Sequence, residues 1–269
     1  MKGILKNNFM KLGVFILLIS MAGCEDMFEY SPYDTHVKSK YQNQTQKNII
    51  ELSKNEFKNE FKIAFITDTH TYYDEFNDQI KELNKRNDID FIVHGGDLTL
   101  SSLHKEYEWF SEIMNKSKVP FLTVIGNHDY LSNGADIYQK MFGATNYSFT
   151  YNNIKFVFFD NVIWEKGLKD PDFDWFRNEI KNTANNRMVI PISHIPPWDQ
   201  QFNYGNEYVF NKIMEEQGIK LSIHGHTHKY YFGKKYGPVD YLVCGDSQDK
   251  EYIVITFKDS TYKIERVKF

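Results

Sequence analysis

Residues 61–70 read FKIAFITDTH, an apolar run that ends in two residues whose side chains can bind a metal ion. The run is nearly continuous rather than alternating, which is typical of a strand buried on both faces of a sheet. Asp68 and His70 follow it directly. Since they are two residues apart, an extended chain would point them in the same direction, where both could contact one ion. This stretch predicts both a buried strand and one side of a functional site.

The same pattern occurs four more times along the chain. Each run is rich in Val, Ile and Phe and ends in residue types that bind metals: DFIVHGGD (90–97), VPFLTVIGNHD (119–129), RMVIPISH (187–194) and IKLSIHGHTH (219–228). Helix-like stretches lie between the runs, for example at 75–86 and 102–116, where apolar residues recur at helical spacing. Ser102 is expected to cap the second of these helices. Pro171 is expected at the first position of a further helix in 170–183.

The remaining strands are predicted to be antiparallel. Residues 148–153 and 154–160 read as a hairpin that turns at Asn152 and Asn153. After residue 235, three further runs (239–245, 250–257 and 261–269) have the composition of an antiparallel meander. A βα-alternating first half followed by an all-β tail predicts an α/β fold of two packed sheets with helices outside.

Composition limits what the chain can be and do. A chain of 269 residues with 41% hydrophobic content is sufficient for one sizeable core. The formal net charge is −4, and removing residues 1–23, which carry three lysines and no acid, leaves −4 − 3 = −7. Sequence-independent nucleic-acid binding needs a basic surface, so we expect no nucleic-acid partner. We expect the protein to be a monomer.

Residues 1–23 are predicted to be a signal peptide. Three lysines precede the apolar segment LGVFILLISMAG (12–23), which is shorter than the roughly 20 residues that a membrane span needs. Ala22 and Gly23 before Cys24 resemble the lipobox of bacterial lipoproteins. That resemblance implies acylation of Cys24 and lipid anchoring in the bacterial cell envelope, at the outer membrane and periplasm or at the cell surface. An ordinary secretory signal is the alternative.

The rest of the chain is predicted to be a tether followed by one domain. Residues 24–58 are polar and read as a tether that becomes helical near IIELSKNEF (49–57), and residues 59–269 form the domain. The second cysteine, Cys244, lies in the apolar run YLVCG. With Cys24 acylated it has no disulfide partner, so we expect it to be a small buried residue.

The polar residues at the five strand ends predict one site. The carboxyl ends of strands in open α/β sheets are where sites form. In IGNHDY (125–130), a turn explains the glycine but not an imidazole and a carboxylate directly behind it. Carboxylate, imidazole and amide oxygen without thiolate suit Mn, Fe or Zn. Two such ions would activate a bridging hydroxide and bind a phosphoryl group.

These motifs resemble those of the calcineurin-like metallophosphoesterases. The resemblance covers the chain from about residue 61 to the end, in the family's order: D-x-H at 68–70, G-D at 96–97, G-N-H-D at 126–129, His194, and G-H-x-H at 225–228. It implies a metallo-dependent phosphatase-like fold, a four-layer αββα sandwich of two mixed β-sheets. It also implies a hydrolase that cleaves P–O bonds of small phosphate mono- or diesters through a metal-bridging hydroxide.

The resemblance also implies a role for each motif residue. The first metal would be bound by Asp68, His70 and His228, the second by Asn127, His194 and His226, and Asp97 would bridge the two. His128 would act near the leaving-group oxygen, with Asp129 orienting its imidazole. Trp198 and Tyr130 are candidate substrate-binding residues because they closely follow motif residues. His94 and His224 are either outer partners of the ligands or buried core histidines.

Two alternatives stay open at this point. Leu100 occupies the position where purple acid phosphatases have a metal-binding tyrosine, which favours the cyclic-nucleotide phosphodiesterase-like and general phosphatase groups without separating a monoesterase from a diesterase. The other alternative is a surface-displayed binding lipoprotein that uses the same fold as a scaffold without chemistry.

Overall fold

The buried runs of the sequence form the central strands of two sheets. The computed structural model describes residues 31–181 and 186–269, and one compact unit extends from Thr35 to Phe269. Its strands are β1 Glu60–Ile66, β2 Phe91–His94, β3 Phe121–Thr123, β4 Tyr147–Tyr151, β5 Ile154–Phe158, β6 Met188–Ile192, β7 Leu221–His224, β8 Tyr231–Lys234, β9 Asp240–Val243, β10 Glu251–Lys258 and β11 Thr261–Lys268.

Helices connect these strands. The α-helices of the described residues are Gln44–Leu52, Tyr73–Leu83, His104–Met114, Gly134–Phe142, Phe173–Glu179 and Tyr204–Glu216. Short 3₁₀ turns occupy Ser39–Tyr41, His128–Tyr130 and Ser247–Asp249. The helices that follow β1 and β2 make each of these connections a parallel crossover.

Both sheets are mixed. The first has the order β11-β10-β1-β2-β3, in which β1, β2 and β3 are parallel and β10 runs antiparallel to both of its neighbours. The second has the order β4-β5-β6-β7-β9-β8, with antiparallel pairs only at its two edges. Parallel strands all end at the same edge of a sheet, so the polar residues after β1, β2 and β3 share one edge, as do those after β6 and β7.

The core forms three layers of apolar side chains, which confirms the predicted αββα sandwich. One layer lies between the sheets and includes Phe65 and Ile192. A second packs the outer face of the first sheet against helices, and Phe76 belongs to it. A third packs the outer face of the second sheet around Phe176 and Phe210. Residues 63–66 of β1 alternate between the first two layers, which is why that part of the strand is continuously apolar.

The tail does not form the predicted meander. β9 pairs in parallel with β7 and antiparallel with β8, both in the second sheet. β10 and β11 form an antiparallel hairpin at the edge of the first sheet. Propensity identifies a strand but not its partner, because pairing depends on residues distant in sequence. β8 was not predicted, since its burial alternates and one face is exposed to solvent.

Two helix starts also differ from prediction. Ser102 is not the cap of the helix His104–Met114: Leu103 precedes that helix, and the side chain of Glu106 accepts hydrogen bonds from the backbone of Leu103 and Ser101. Ser102 instead donates its hydroxyl to the carbonyl of His128 at 2.5 Å. Asp172 caps the helix Phe173–Glu179, so Pro171 precedes the cap.

The segment predicted as a tether is partly folded. From Thr35 it belongs to the compact unit, its helix begins at Gln44, and Val37, Tyr41 and Leu52 are buried in the core layers. We therefore place the start of the folded unit at residue 35 rather than 59. The polar composition misled the prediction because a few apolar residues suffice to dock a short helix.

The predictions for residues 1–30 lie outside the described residues, including the signal peptide and the acylation of Cys24. Within the described ranges, no helix has the length and apolar character required to cross a membrane. Cys244 is fully buried at the end of β9, as expected.

Candidate metal centre

The predicted ligands lie just past the ends of their strands, in a tight backbone conformation. β1 ends at Ile66 and β7 at His224, so the two D-x-H and H-x-H pairs are in loops rather than on the strands. Five of the predicted ligands have positive φ: Asp68 (54°), His70 (46°), Asp97 (53°), His226 (73°) and His228 (56°). Each such residue costs on the order of 1–3 kcal/mol and persists only where its surroundings impose it. The loops, not strand alternation, aim these side chains at one point.

The first predicted ligand set is compact. Asp68, His70 and His228 each offer one ligand atom, and the three atoms lie within 4.8 Å of one another. Nε2 of His228 lies 3.3 Å from Oδ1 of Asp68 and 3.2 Å from Nε2 of His70. The other carboxylate oxygen of Asp68, Oδ2, accepts hydrogen bonds from the hydroxyl of Thr67 and the backbone N–H of His226. Hydrogen bonds within the protein thus fix Oδ2 of Asp68, and Oδ1 is left facing the histidines.

The second predicted set is built in the same way. Asp97, His194 and His226 each offer an atom within 4.8 Å of the others. Nδ1 of His226 lies 3.1 Å from Oδ1 of Asn127. Nδ1 of His194 is 2.8 Å from the carbonyl oxygen of Gly95. A carbonyl only accepts, so Nδ1 of His194 carries a hydrogen and Nε2 is the nitrogen that can take up a proton or a metal ion.

Asp97 lies between the two sets. Its Oδ2 is 3.6 Å from Nε2 of His70 and 3.1 Å from Nε2 of His194, so one oxygen faces a histidine of each set. Its Oδ1 accepts a hydrogen bond of 2.9 Å from the backbone N–H of His128. This is the position that a bridging carboxylate requires. All seven predicted ligands are therefore brought together, and their assignment to individual ions stays a prediction.

The donor atoms fit divalent cations. Among the described residues, Oδ1 of Asp68 and Nε2 of His194 are buried and make no hydrogen bond. A buried polar atom without a partner is costly, and a cation beside each of these atoms would supply the missing partner. Nitrogen and oxygen donors without sulfur suit Mn, Fe or Zn.

Electrostatics at the site favour positive charge. Burial alone would raise the pKa values of Asp68 and Asp97, but the neighbouring His194 lowers both. Burial alone would lower the pKa of His194, yet Asp97 and Asp68 raise it to about 9. Contact with Asp246, and then with Asp68, raises the pKa of His228 to about 10. The buried carboxylates thus draw cations into the site, whether protons on histidine or metal ions.

The structure corrects the predicted role of Asp129. Its carboxylate does not orient the imidazole of His128; Nδ1 of His128 instead lies 2.7 Å from the carbonyl oxygen of Leu100. The fully buried Asp129 accepts hydrogen bonds from the backbone of Leu98, Thr99 and Gly126 and from the hydroxyl of Thr99. His128 and Asp129 are neighbours in one 3₁₀ turn, but their side chains point in different directions. Asp129 therefore ties together the loops that carry Asp97 and Asn127.

The candidate substrate residues have structural partners. Trp198 is half-buried against Tyr231 and Tyr241, with ring centroids at 5.3 and 5.5 Å, and the ammonium of Lys235 lies 5.1 Å from its ring. Tyr130 donates its hydroxyl to Asp160. A substrate role for either residue stays a prediction.

The two additional histidines are buried. His224 lies among the hydroxyls of Ser193 and Ser222 and the carbonyl of Ser193, as a satisfied core residue does. His94 contacts the hydroxyl of Thr69 at 2.9 Å, and Thr69 lies between two predicted ligands. Burial lowers the pKa of each histidine to about 3, so both are neutral.

Three acidic residues next to the ligands were missed by sequence reasoning. Asp246 lies 3.3 Å from Nδ1 of His228, Asp199 lies 3.5 Å from Nε2 of His226, and Glu165 accepts from Asn127 at 3.2 Å. A signal existed for Asp246, because β9 is followed by Cys-Gly-Asp much as β2 is followed by Gly-Gly-Asp. Asp199 and Glu165 lie in loops without a comparable pattern.

Comparison with known proteins gives a family match over most of the domain. The family described as Calcineurin-like phosphoesterase matches residues 61–230, which contain all seven predicted ligands. The 3′,5′-cyclic adenosine monophosphate phosphodiesterase CpdA of Haemophilus influenzae is 24% identical over 191 residues, covering 62% of this chain and 70% of that protein. A 3′,5′-cyclic-nucleotide phosphodiesterase of Nostoc sp. is 24% identical over 166 residues, covering 58% of this chain and 62% of its own.

The fold also matches solved structures. The purple acid phosphatase PPD1 from yellow lupin seeds superposes with a TM-score of 0.63 at 14% identity, over 79% of this chain. The matched part spans about half of that phosphatase, 52% of its length. At this level of identity the likeness concerns the fold alone.

Proposed function

The chain belongs to the calcineurin-like phosphoesterase family and is a phosphoester-hydrolysing enzyme; from that premise we propose that it cleaves small phosphate mono- or diesters with two divalent cations. The supporting observation is the position of Asp97, one oxygen of which lies between Nε2 of His70 at 3.6 Å and Nε2 of His194 at 3.1 Å. A carboxylate in this position can contact two ions at once. Asp68, His70 and His228 would hold one ion, and Asn127, His194 and His226 the other.

Two bound cations would supply an activated water and neutralise the charge on the phosphoryl group. The chain's own contribution to the proton transfer is His128. Its Nδ1 donates to the carbonyl of Leu100 at 2.7 Å, so Nε2 would give a proton to the departing oxygen from the doubly protonated ring, which is left neutral with its hydrogen on Nδ1. Asn127 supplies a neutral oxygen, so the site gains no further negative charge to oppose the phosphate.

We propose phosphodiesters, cyclic nucleotides among them, as the first substrate class to test. The support is the pair of relatives named as 3′,5′-cyclic-nucleotide phosphodiesterases, which are each 24% identical to the chain. The chain matches only part of each relative, so the proposal of this substrate class rests on the similarity of the matched domain. A non-catalytic binding role is disfavoured because the seven predicted ligands and His128 are all present in the site.

The test compares two chromogenic esters. Release of 4-nitrophenol from bis-(4-nitrophenyl) phosphate and from 4-nitrophenyl phosphate is measured with Mn²⁺, with and without chelator, alongside hydrolysis of 3′,5′-cyclic AMP. We expect metal-dependent release, faster from the diester. The variant Asp97→Ala should lose metal loading and turnover together, whereas Asp259→Ala, an exposed position, should retain both. Absence of release with any divalent metal would contradict the proposed function.

We further propose that the protein is a lipoprotein of the bacterial cell envelope, acylated at Cys24. The support is the sequence alone: lysines, an apolar segment at 12–23, and small residues before Cys24. Labelling of growing cells with an alkyne-bearing fatty acid should mark the parent protein but not Cys24→Ala, and the variant should leave the membrane fraction. Labelling of the variant at the parent level would contradict this proposal.

A further inference from the structure

Five of the predicted ligands, the four histidines and Asn127, could face an ion with either of two different atoms. A histidine can use Nδ1 or Nε2, and an asparagine side chain presents an oxygen on one side and an NH₂ group on the other. His226, His228 and Asn127 are therefore not fully defined by their position on the backbone. Which atom of each faces the ion depends on what contacts the atom on the other side.

His228 is oriented by Asp246. Nε2 of His228 faces Asp68 at 3.3 Å, and Nδ1 on the opposite side lies 3.3 Å from Oδ2 of Asp246. Asp246 is buried, and its other oxygen accepts from the backbone N–H of Asp249 at 3.3 Å. The same loop is attached to the site by the N–H of Ser247, which donates to the carbonyl of Asp68 at 3.3 Å.

His226 is oriented in the opposite sense by Asp199. Its Nδ1 faces Asn127 at 3.1 Å, and its Nε2 lies 3.5 Å from Oδ1 of Asp199. Asp199 comes from the loop after β6 and is itself held by the N–H of Gln201, which donates to Oδ1 at 2.9 Å. His226 and His228 are two residues apart, yet they present different nitrogens to the site. The two carboxylates account for this difference.

Asn127 is oriented by Glu165. Its NH₂ group donates to Oε1 of Glu165 at 3.2 Å, and its oxygen faces Nδ1 of His226. An ionised carboxylate only accepts, so it selects the orientation in which the amide oxygen faces the site. Oε2 of Glu165 is buried and makes no hydrogen bond to the described part of the chain. The hydrogen bond that this carboxylate makes there is the one that Oε1 accepts from Asn127.

We propose that Asp246, Asp199 and Glu165 are positioning residues of the dinuclear centre, each fixing which atom of one ligand faces an ion. This inference rests on the proposed function, because it assumes that the seven ligands bind two cations. Asp246 would act on the ion held by Asp68, His70 and His228. Asp199 and Glu165 would act together on the ion held by Asn127, His194 and His226.

The other histidines make the role of these acids specific. His194 has its outer nitrogen on the backbone carbonyl of Gly95, which no side-chain substitution removes. The outer nitrogen of His70, Nδ1, is buried and makes no hydrogen bond among the described residues. His226 and His228 have carboxylates instead, which orient the ring and also increase the basicity of the ligating nitrogen. Removal of such an outer partner typically lowers metal affinity by about 10–100-fold.

The experiment measures Mn²⁺ binding by isothermal titration calorimetry, without substrate. The variants are Asp246→Asn, Asp199→Asn and Glu165→Gln. In Asp199→Asn the amide oxygen can still contact both His226 and Gln201, so the change removes charge with little change of shape. In Asp246→Asn one of two accepting oxygens becomes a donor, so the side chain cannot serve both His228 and Asp249.

We expect the parent to bind two ions and each variant to bind one of them about 10–100-fold more weakly. Asp199→Asn and Glu165→Gln should weaken the same binding step, and Asp246→Asn the other. Asp136→Asn and Glu215→Gln are matched controls of equal charge change at exposed positions, and both should bind as the parent does. The variant Asp199→Glu, which restores the carboxylate, should recover part of the lost affinity.

Thermal unfolding of each metal-free variant separates positioning from folding. Midpoints equal to that of the parent, together with weakened binding, support the inference. If Asp199→Asn unfolds at a lower temperature than the parent, it is compared with Asp199→Glu. Higher metal affinity in Asp199→Glu at the same unfolding midpoint would also support the inference. The inference would be overturned, with the proposed function intact, if all three variants bound Mn²⁺ as tightly as the parent. The same holds if all three weakened the same binding step. A parent that binds no divalent ion would overturn it together with the proposed function.

Discussion

Nδ1 of His128 lies 2.7 Å from the carbonyl oxygen of Leu100, and the neighbouring carboxylate of Asp129 points elsewhere. A carbonyl oxygen can only accept, so this contact places the hydrogen on Nδ1 and fixes the plane of the ring. The ring also packs edge-on against His70, with centroids 4.7 Å apart. His128 is therefore held by backbone and by a predicted ligand, and the roles of His128 and Asp129 can be separated by substitution.

The variant His128→Ala should keep its metals and lose turnover. No ligand of the two predicted sets is removed, whereas a positioned proton donor contributes about 10²–10⁴-fold to such a reaction. We expect kcat on bis-(4-nitrophenyl) phosphate to fall by at least about 100-fold with two ions still bound. His104→Ala, on the helix His104–Met114, is the matched control. Turnover of His128→Ala at the parent rate would show that the assigned role is wrong.

The variant Asp129→Ala should lose stability and metal binding rather than proton transfer alone. It would leave the buried N–H groups of Leu98 and Gly126 without their acceptor, along with other donors. We expect the free energy of unfolding to fall by at least about 3 kcal/mol, measured by urea denaturation. Asp136→Ala, exposed on the following helix, should change it little. Unchanged stability with a selective loss of kcat would instead restore the role expected from the sequence.

The variant Gly126→Ala should displace Asp97. A Cβ at position 126 would overlap the backbone nitrogen and Oδ1 of Asp97, both of which are fixed in the loop. We expect metal content, measured by elemental analysis after dialysis, to drop below two ions per chain. In the control Gly233→Ala the new Cβ lies 3.5 Å from the nearest atom, the hydroxyl of Tyr231. Full metal content in Gly126→Ala would mean that Asp97 does not need its present position.

The variant His94→Gln should flatten the dependence of stability on pH. Burial lowers the pKa of His94 to about 3, whereas histidine in an unfolded chain has a pKa of about 6.5. Below that value the unfolded state binds a proton that the folded state does not, so the free energy of unfolding decreases as the pH falls.

Between about pH 7 and about pH 5, this one residue should lower the free energy of unfolding by about 2 kcal/mol. The variant can keep the contact with Thr69 and has no titrating group, so it should lack that part of the decrease. The measurement is urea denaturation of parent and variant across this pH range. The contributions of the other titrating groups cancel in the difference between the two proteins. Equal slopes for the two proteins would contradict a neutral buried His94.

The sequence by itself determined the strands that carry the site and the chemical type of its ligands. Both are local properties: an uninterrupted apolar run predicts a strand buried on two faces, and residue types such as Asp68 and His70 at its end define which ions can bind. The order of such motifs was enough to indicate the family, which the match over residues 61–230 then confirmed.

Tertiary structure alone decided the partners of these residues. The contacts of His226 with Asp199, of His228 with Asp246 and of Asn127 with Glu165 join loops that no sequence pattern connects. The same holds for β9, which pairs in parallel with β7 rather than in a meander. Residue identity specifies what a side chain can donate or accept, but only the folded chain brings a second residue within hydrogen-bonding distance, and that neighbour selects which atom faces the site.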